Sequence, residues 1–268
     1  ASLVFAARDP DKLASEKWNA AAFAGHPYGR PSNGTAETLK SITRDDLENY
    51  RRRVFARDTL KVVAVGDINA ADFGRVLDQL FGDLPAKSEL TPVAKVVPKV
   101  AEKLQVVEMN VPQSVARFGG NGIARKDPDF MPAFVLNHII GGGGFSSTLM
   151  QEVREKRGLA YSVYSYLQPY KYGAVFSGGV ATKNEAMAQS LDIIRAELKR
   201  MIEAGPTATE LANAKSYLIG SYALRFDTNA KIANQLLAFM QEDLGIDYVD
   251  RRNAEIEKVT LDDLKRAG

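Results

Sequence analysis

The chain contains no cysteine, which removes disulfides, thiolate metal sites and cysteine nucleophiles. Histidine is nearly as scarce. His26 and His138 are the only two, and they stand more than a hundred residues apart, so the sequence holds no local two-histidine metal motif. No run approaches the ~18–20 apolar residues of a membrane-spanning helix, and the opening Ala-Ser-Leu-Val-Phe carries no signal-peptide pattern. A charge excess is missing too: 35 Lys and Arg face 33 Asp and Glu, a net +2, too little to call for nucleic acid or an acidic substrate. What remains is an ordinary globular composition, 45% hydrophobic and 25% charged over 268 residues. That length allows one large or two modest domains, each able to bury a core.

The pattern along the chain is α+β, with strands in succession and helices in clusters. Residues 12–23 read as a helix with Leu13, Trp18, Ala21 and Ala22 as its apolar positions. A Pro/Gly-punctuated loop follows at 26–31, and Thr43-Arg44-Asp45-Asp46 opens a helix with a capping-box pattern. Residues 60–65, ended by Gly66-Asp67, suit a buried strand. Residues 70–81 suit an amphipathic helix with Phe73, Leu77, Leu80 and Phe81 inward. Pro85, Pro92 and Pro98 mark a linker over 83–101, dividing a first domain, 1–82, from a second, 102–268.

In the second part, strands are expected at 104–109, 114–120, 159–167 and 173–181. Asp127-Pro128 starts a helix running to Ile140, four glycines follow, and a short helix over 146–157 stops at Gly158. Lys156 and Arg157 suit the negative C-terminal end of that short helix. Met187, Leu191, Ile194, Leu198 and Met201 mark one face of a long helix, stopped by Gly205-Pro206. Thr207 to Glu210 caps the next. One internal similarity stands out: Ile42-Thr43-Arg44-Asp45-Asp46-Leu47 returns as Val259-Thr260-Leu261-Asp262-Asp263-Leu264. The chain is therefore expected to hold the latter half of one α/β domain, a linker, and most of a repeat of it. Both ends fall near the inside of helical segments, which leads to the expectation of a fragment.

The unusual stretch is 141–161, Gly-Gly-Gly-Gly-Phe-Ser-Ser-Thr-Leu-Met-Gln-Glu-Val-Arg-Glu-Lys-Arg-Gly-Leu-Ala-Tyr. It lacks Gly-Lys-Ser/Thr and the Gly-x-Gly-x-x-Gly spacing of phosphate loops, so its glycines read as close packing between a helix end and a helix start. This stretch resembles the second-domain signature of the pitrilysin, insulin-degrading enzyme and mitochondrial processing peptidase family. His-Pro-Tyr-Gly-Arg-Pro at 26–31, the segment 63–67 and the segment 112–115 are similar to the family as well. Where the family often has arginine after the two serines, this chain has Thr148.

The resemblance implies two α/β-sandwich domains with antiparallel-rich sheets, the first incomplete on its N-terminal side. It also implies a role for Arg154 and Tyr161, which match an arginine–tyrosine pair that completes a peptidase site built on another domain. A guanidinium and a phenol suit the holding of peptide carbonyls and of a developing oxyanion. Gly142, Gly143, Gly144 and Phe145, with Tyr164 and Tyr166, are expected on the substrate side. Five tyrosines, 161, 164, 166, 170 and 172, crowd this region; they are either sheet-forming residues or a wall of the substrate chamber.

The family's zinc pattern, His-x-x-Glu-His with a distant Glu, does not occur in the sequence. His26 reads as a local hydrogen-bonder and His138 as a packed core residue, and neither is assigned to a metal. Zinc is expected instead on a missing half-domain or a partner. The resemblance thus implies a non-catalytic, site-completing subunit of a two-part zinc metallopeptidase, with a peptide substrate and a zinc-bearing subunit or a second copy as partners. The alternatives are the C-terminal portion of a self-sufficient zinc peptidase, or a structural core-protein-like subunit. Val-Pro-Gln-Ser-Val, Asp-Pro-Asp-Phe and Gly-Ile-Asp-Tyr-Val-Asp-Arg-Arg-Asn resemble bacterial members of arginine–tyrosine type that lack the zinc motif. Such members are commonly exported, which implies a periplasmic location, the alternative being cytoplasmic.

Overall fold

In chain order the helices α1 Ser2–Ala6, α2 Pro10–Ala22, α3 Ala36–Ser41, α4 Arg44–Val54 and α5 Ala70–Phe81 come first. Strand β1 Gln113–Asn121, helix α6 Phe130–Asn137 and the hairpin β2 Ala160–Tyr170 and β3 Gly173–Lys183 follow. The chain continues through α7 Met187–Glu203, α8 Ala208–Gly220, α9 Asn229–Gln241, α10 Tyr248–Lys258 and α11 Leu261–Ala267. The computed structural model describes residues 2–99 and 104–268. It therefore leaves the last two residues of the expected linker, 100 and 101, outside the described residues. Contacts divide the chain into two interleaved packing units, and two of the four divisions fall inside α8 and α10. Another division, between Pro92 and Val93, lies within the linker expected over 83–101.

The first unit comprises the described parts of Ala1–Thr35 and Val93–Tyr217, with Glu255–Gly268. Its sheet is antiparallel throughout, in the order β1-β3-β2, so β3 is the central strand. Period-2 alternation puts Val163, Ser165 and Val180 on one buried face. There Asn137 at the end of α6 accepts a buried hydrogen bond from Ser165 Oγ at 2.8 Å, which fixes α6 against that face. The stripe expected on α7 is realised, with Ile194 and Met201 buried. A cavity of about 590 Å³ on the same side is bordered by Phe118, Phe176, Leu198 and Met201, and includes neither Arg154 nor Tyr161.

Helix α2 packs on the opposite face, where Arg117 Nη2 donates to both oxygens of Asp11 at 2.9 and 2.8 Å. Phe23 and Ala22 bury against Val175, joined by Trp18, Tyr28, Val96 and Tyr170. His26 occupies both ring nitrogens locally: Nε2 lies 3.0 Å from the Ala94 carbonyl and Nδ1 accepts from the Tyr28 amide. The His-Pro-Tyr-Gly-Arg-Pro segment is thus a structural lock on the extended segment around 94–96. The Val96 amide completes that lock by donating to the Tyr172 carbonyl at 2.7 Å.

The second unit, Ala36–Pro92 with Leu218–Ala254, is helical. Thr43 and Asp46 form the expected reciprocal capping box of α4, and Thr260 and Asp263 repeat it at α11 in the first unit. Two expected strands are corrected. Residues 60–65 and 104–109 carry no regular secondary structure and pair with no strand among the described residues. A strand exists only through its hydrogen-bonding neighbour, so β-propensity alone cannot make one. Leu80, expected inward, is 67% exposed, and no residue of α5 is fully buried, because α5 has no sheet to pack on in its unit. The helix expected from Asp127 begins at Phe130. Asp127 uses its carboxylate to accept from the Asp129 amide at 2.9 Å, an Asx turn ahead of the helix rather than a cap.

Candidate functional site

The glycine run joins two helical segments that both widen. After α6 the chain takes a π-turn at His138–Gly142, and the segment after the run is π-helical over Met150–Glu155. Each π-turn holds one more residue than an α-turn, and such turns concentrate at functional sites. The close packing expected of the glycines is found. A Cβ on Gly141 would lie 2.5 Å from the Ser165 backbone, so only glycine lets this turn rest on β2. Gly144, at φ +60°, starts the tight turn Gly144–Ser146 in a left-handed conformation that carries Phe145 outward. The turn is tied on itself: Ser147 Oγ donates to the Gly144 carbonyl at 2.7 Å and Ser146 Oγ to the Gly143 carbonyl at 2.9 Å.

Leu149, Met150 and Val153 bury completely or nearly so and root the second segment in the core. Arg154, one position on, faces out at the end of that segment. Gly158 reverses the chain at φ +62°, with its amide donating to the Arg154 carbonyl at 2.7 Å and the Leu159 amide to Val153 at 3.0 Å. Glu152 collects Lys156 and Arg157, and the Arg157 hydrogen bond, followed by that of Lys156, holds its carboxyl below the ordinary range. Arg157 also reaches the Glu152 backbone carbonyl at 2.6 Å, so the expected basic complement to this helix end is present.

Strand β2 begins with a bulge. Ala160 opposes Thr182 and Ser162 opposes Ala181, leaving Tyr161 as the extra residue. Bulges re-aim side chains, and Tyr161, 81% exposed, is turned towards Arg154. The Arg154 guanidinium carbon lies 4.9 Å from the Tyr161 ring centre and 4.7 Å from that of Phe145. The guanidinium makes no hydrogen bond among the described residues; its one ion pair is Nε to Glu155 at 3.6 Å. Two exposed cation–π contacts at about 0.5–1 kcal/mol each roughly offset the ~2 kcal/mol of rotamer entropy an arginine carries. An exposed ion pair adds about 0–1 kcal/mol. The rings, more than the carboxylate, therefore hold Arg154 in place.

The other nominated tyrosines divide. Tyr164 and Tyr166 share a face, stacked at 6.1 Å, and Tyr164 receives a hydrogen bond from Arg117. Tyr170 belongs to the aromatic cluster with Phe23 and Tyr28. His138 is buried and stacks on Tyr217 at 5.2 Å, and burial lowers its pKa. These donors do not make a zinc site: His26 has both nitrogens engaged, and among the described residues no three His, Asp or Glu side chains gather. No helix among the described residues is long and apolar enough to cross a membrane. The contact of Phe145 with Arg154 was not legible from the sequence, because a guanidinium–ring contact nine residues apart across a turn leaves no periodic trace.

With this geometry described, the chain can be placed. It belongs to the family described as peptidase M16 inactive domain, whose profile matches residues 41–218, about two thirds of its length. It is 31% identical over 267 residues to an uncharacterized zinc protease of Streptomyces coelicolor, covering 96% of this chain and 57% of that protein. It is 30% identical over 266 residues to the non-peptidase homolog YmxG of Helicobacter pylori, covering 98% of this chain and 61% of that protein. The crystal structure of a peptidase M16 inactive domain from Pseudomonas fluorescens superposes with a TM-score of 0.90 at 30% identity, over 99% of this chain and 63% of that one. The chain thus spans about three fifths of the length of the curated relatives it matches. The α+β class and the resemblance carried by residues 141–161 are both upheld.

Proposed function

We propose that this chain is the non-catalytic, site-completing side of a two-part zinc metallopeptidase. Its relatives are named both as zinc protease and as non-peptidase homolog, which suits a chain that serves peptidase chemistry without metal ligands of its own. The observation that supports the role most directly is Arg154, stacked on Tyr161 with a guanidinium that donates no hydrogen bond among the described residues. Donors fixed in advance and left unspent are what a substrate carbonyl needs as charge develops on its oxygen. On this reading Arg154 and Tyr161 bind and orient that oxygen, while the metal and the general base come from a zinc-bearing partner. Tyr166 and the outer edge of β2 would lie along an extended peptide.

The test combines the full-length protein with its zinc-bearing partner subunit and follows cleavage of an unfolded peptide. Arg154→Ala and Tyr161→Phe are each expected to lower kcat by about 10²–10³-fold, as loss of an oxyanion donor does. Unchanged kcat/KM in both variants would overturn the proposal. A second reading, the C-terminal portion of a self-sufficient zinc peptidase, is supported by the name of the 31%-identical relative, an uncharacterized zinc protease. A His-x-x-Glu-His segment upstream in the same gene product would decide for it.

A further inference from the structure

The sequence places Phe145 on the substrate side, yet its surroundings give it another task. Its backbone is fixed: the carbonyl accepts from Gln151 Nε2 at 2.7 Å, and the serines on its C-terminal side bond back to Gly143 and Gly144. Its ring is 60% exposed, so it is not held by burial in the core. The ring contact it makes is with Arg154, at 4.7 Å from ring centre to guanidinium carbon. Gln151 and Arg154 belong to the same π-turn, so the turn that carries Arg154 also holds the loop that carries Phe145.

We infer that Phe145 is a positioning residue: together with Tyr161 it clamps the Arg154 guanidinium and keeps its N–H edge turned outward. The clamp stands on geometry, and its consequence for catalysis rests on the proposed function. A guanidinium bears its charge over a plane, and an aromatic face attracts that plane where an aliphatic side chain of similar bulk does not. Leucine at this position would cover the surface without orienting the fork, whereas tyrosine would keep the π-face.

The experiment uses the full-length protein and reads the Arg154 side-chain Nε–Hε resonance by NMR, identified by its disappearance in Arg154→Lys. Two aromatic rings are expected to displace that resonance upfield in the wild type. Phe145→Leu should move it back towards the range of a free arginine, while Phe145→Tyr should preserve it. In the peptide-cleavage assay with the zinc-bearing subunit, Phe145→Leu should lower kcat by about tenfold to a hundredfold at nearly unchanged KM, the cost of a misplaced catalytic group. Phe145→Tyr should restore it. An Arg154 resonance identical in wild type and Phe145→Leu overturns the clamp. A displaced resonance with kcat unchanged, where Arg154→Ala abolishes turnover, overturns the positioning role. If Arg154→Ala itself leaves cleavage intact, the proposed function fails, and the clamp is judged by the resonance alone.

Discussion

Arg154 depends on shape as much as on charge. Lysine would keep the positive charge but lose the planar fork and the stacking on two rings, so Arg154→Lys should resemble Arg154→Ala in the cleavage assay rather than the wild type. His138 shows the opposite case, a side chain kept neutral by its surroundings. Burial places its folded pKa below the ordinary 6.5. A depressed pKa means that stability is full above the unfolded value and falls as pH drops through 6.5, because the unfolded chain then takes up a proton that the folded chain resists. Urea titrations at pH 7.5 and 5.5 should show this loss, and His138→Phe should reduce it. The histidine assignments were legible in the sequence, since a histidine in an apolar helix and one in a Pro/Gly turn have few other uses. The stacking of Phe145 on Arg154 was not, because it depends on where two turns end in space.

At the level of elements, the Thr–Asp capping boxes are legible in the sequence, while the Asp127 cap and long-range pairing are not. The Thr43–Asp46 and Thr260–Asp263 boxes were legible because each is completed within four residues. Thr43→Ala and Thr260→Ala should each cost about 1 kcal/mol in urea unfolding, the usual worth of such a cap. The segments 60–65 and 104–109 looked like strands because strand propensity can be counted from sequence, while a pairing partner cannot. The Ser165–Asn137 bond is the reverse case, invisible in sequence and central to the site's support. Ser165→Ala leaves the buried Asn137 oxygen without that donor and should destabilise the fold by about 1–3 kcal/mol, measured by thermal or urea unfolding.

For the molecule as a whole, near-neutral charge conceals local concentrations, of which the one around Arg266 joins two helices. Arg266 on α11 bonds Asp129 at 2.7 Å and Asp263 at 2.9 Å, tying the last helix to the start of α6. The Thr260 hydroxyl, first among the causes, and Arg266 lower the Asp263 carboxyl from 3.8 to about 2; Arg266 lowers Asp129 as well. A carboxyl with a depressed pKa stabilises the fold above its unfolded value and loses that contribution as pH falls from about 4 towards 2. Circular dichroism melts across that window should show a falling Tm, and the fall should be shallower in Asp263→Asn. The family assignment was legible because one contiguous signature, residues 141–161, carries it. The interleaving of the packing units was not, since it is set by contacts between segments far apart in the chain.

The π-helical turn over Met150–Glu155 has a consequence for counting. One residue in it is surplus to α-helical phasing, and an α-helix advances by about 100° per residue. Relaxing to an α-helix at unchanged length would swing Arg154 by roughly that angle, away from both rings, whereas removing the surplus residue would restore α-helical phase and leave its direction nearly unchanged. The width of the turn between the buried Leu149 and the reversal at Gly158 therefore encodes the direction of the guanidinium.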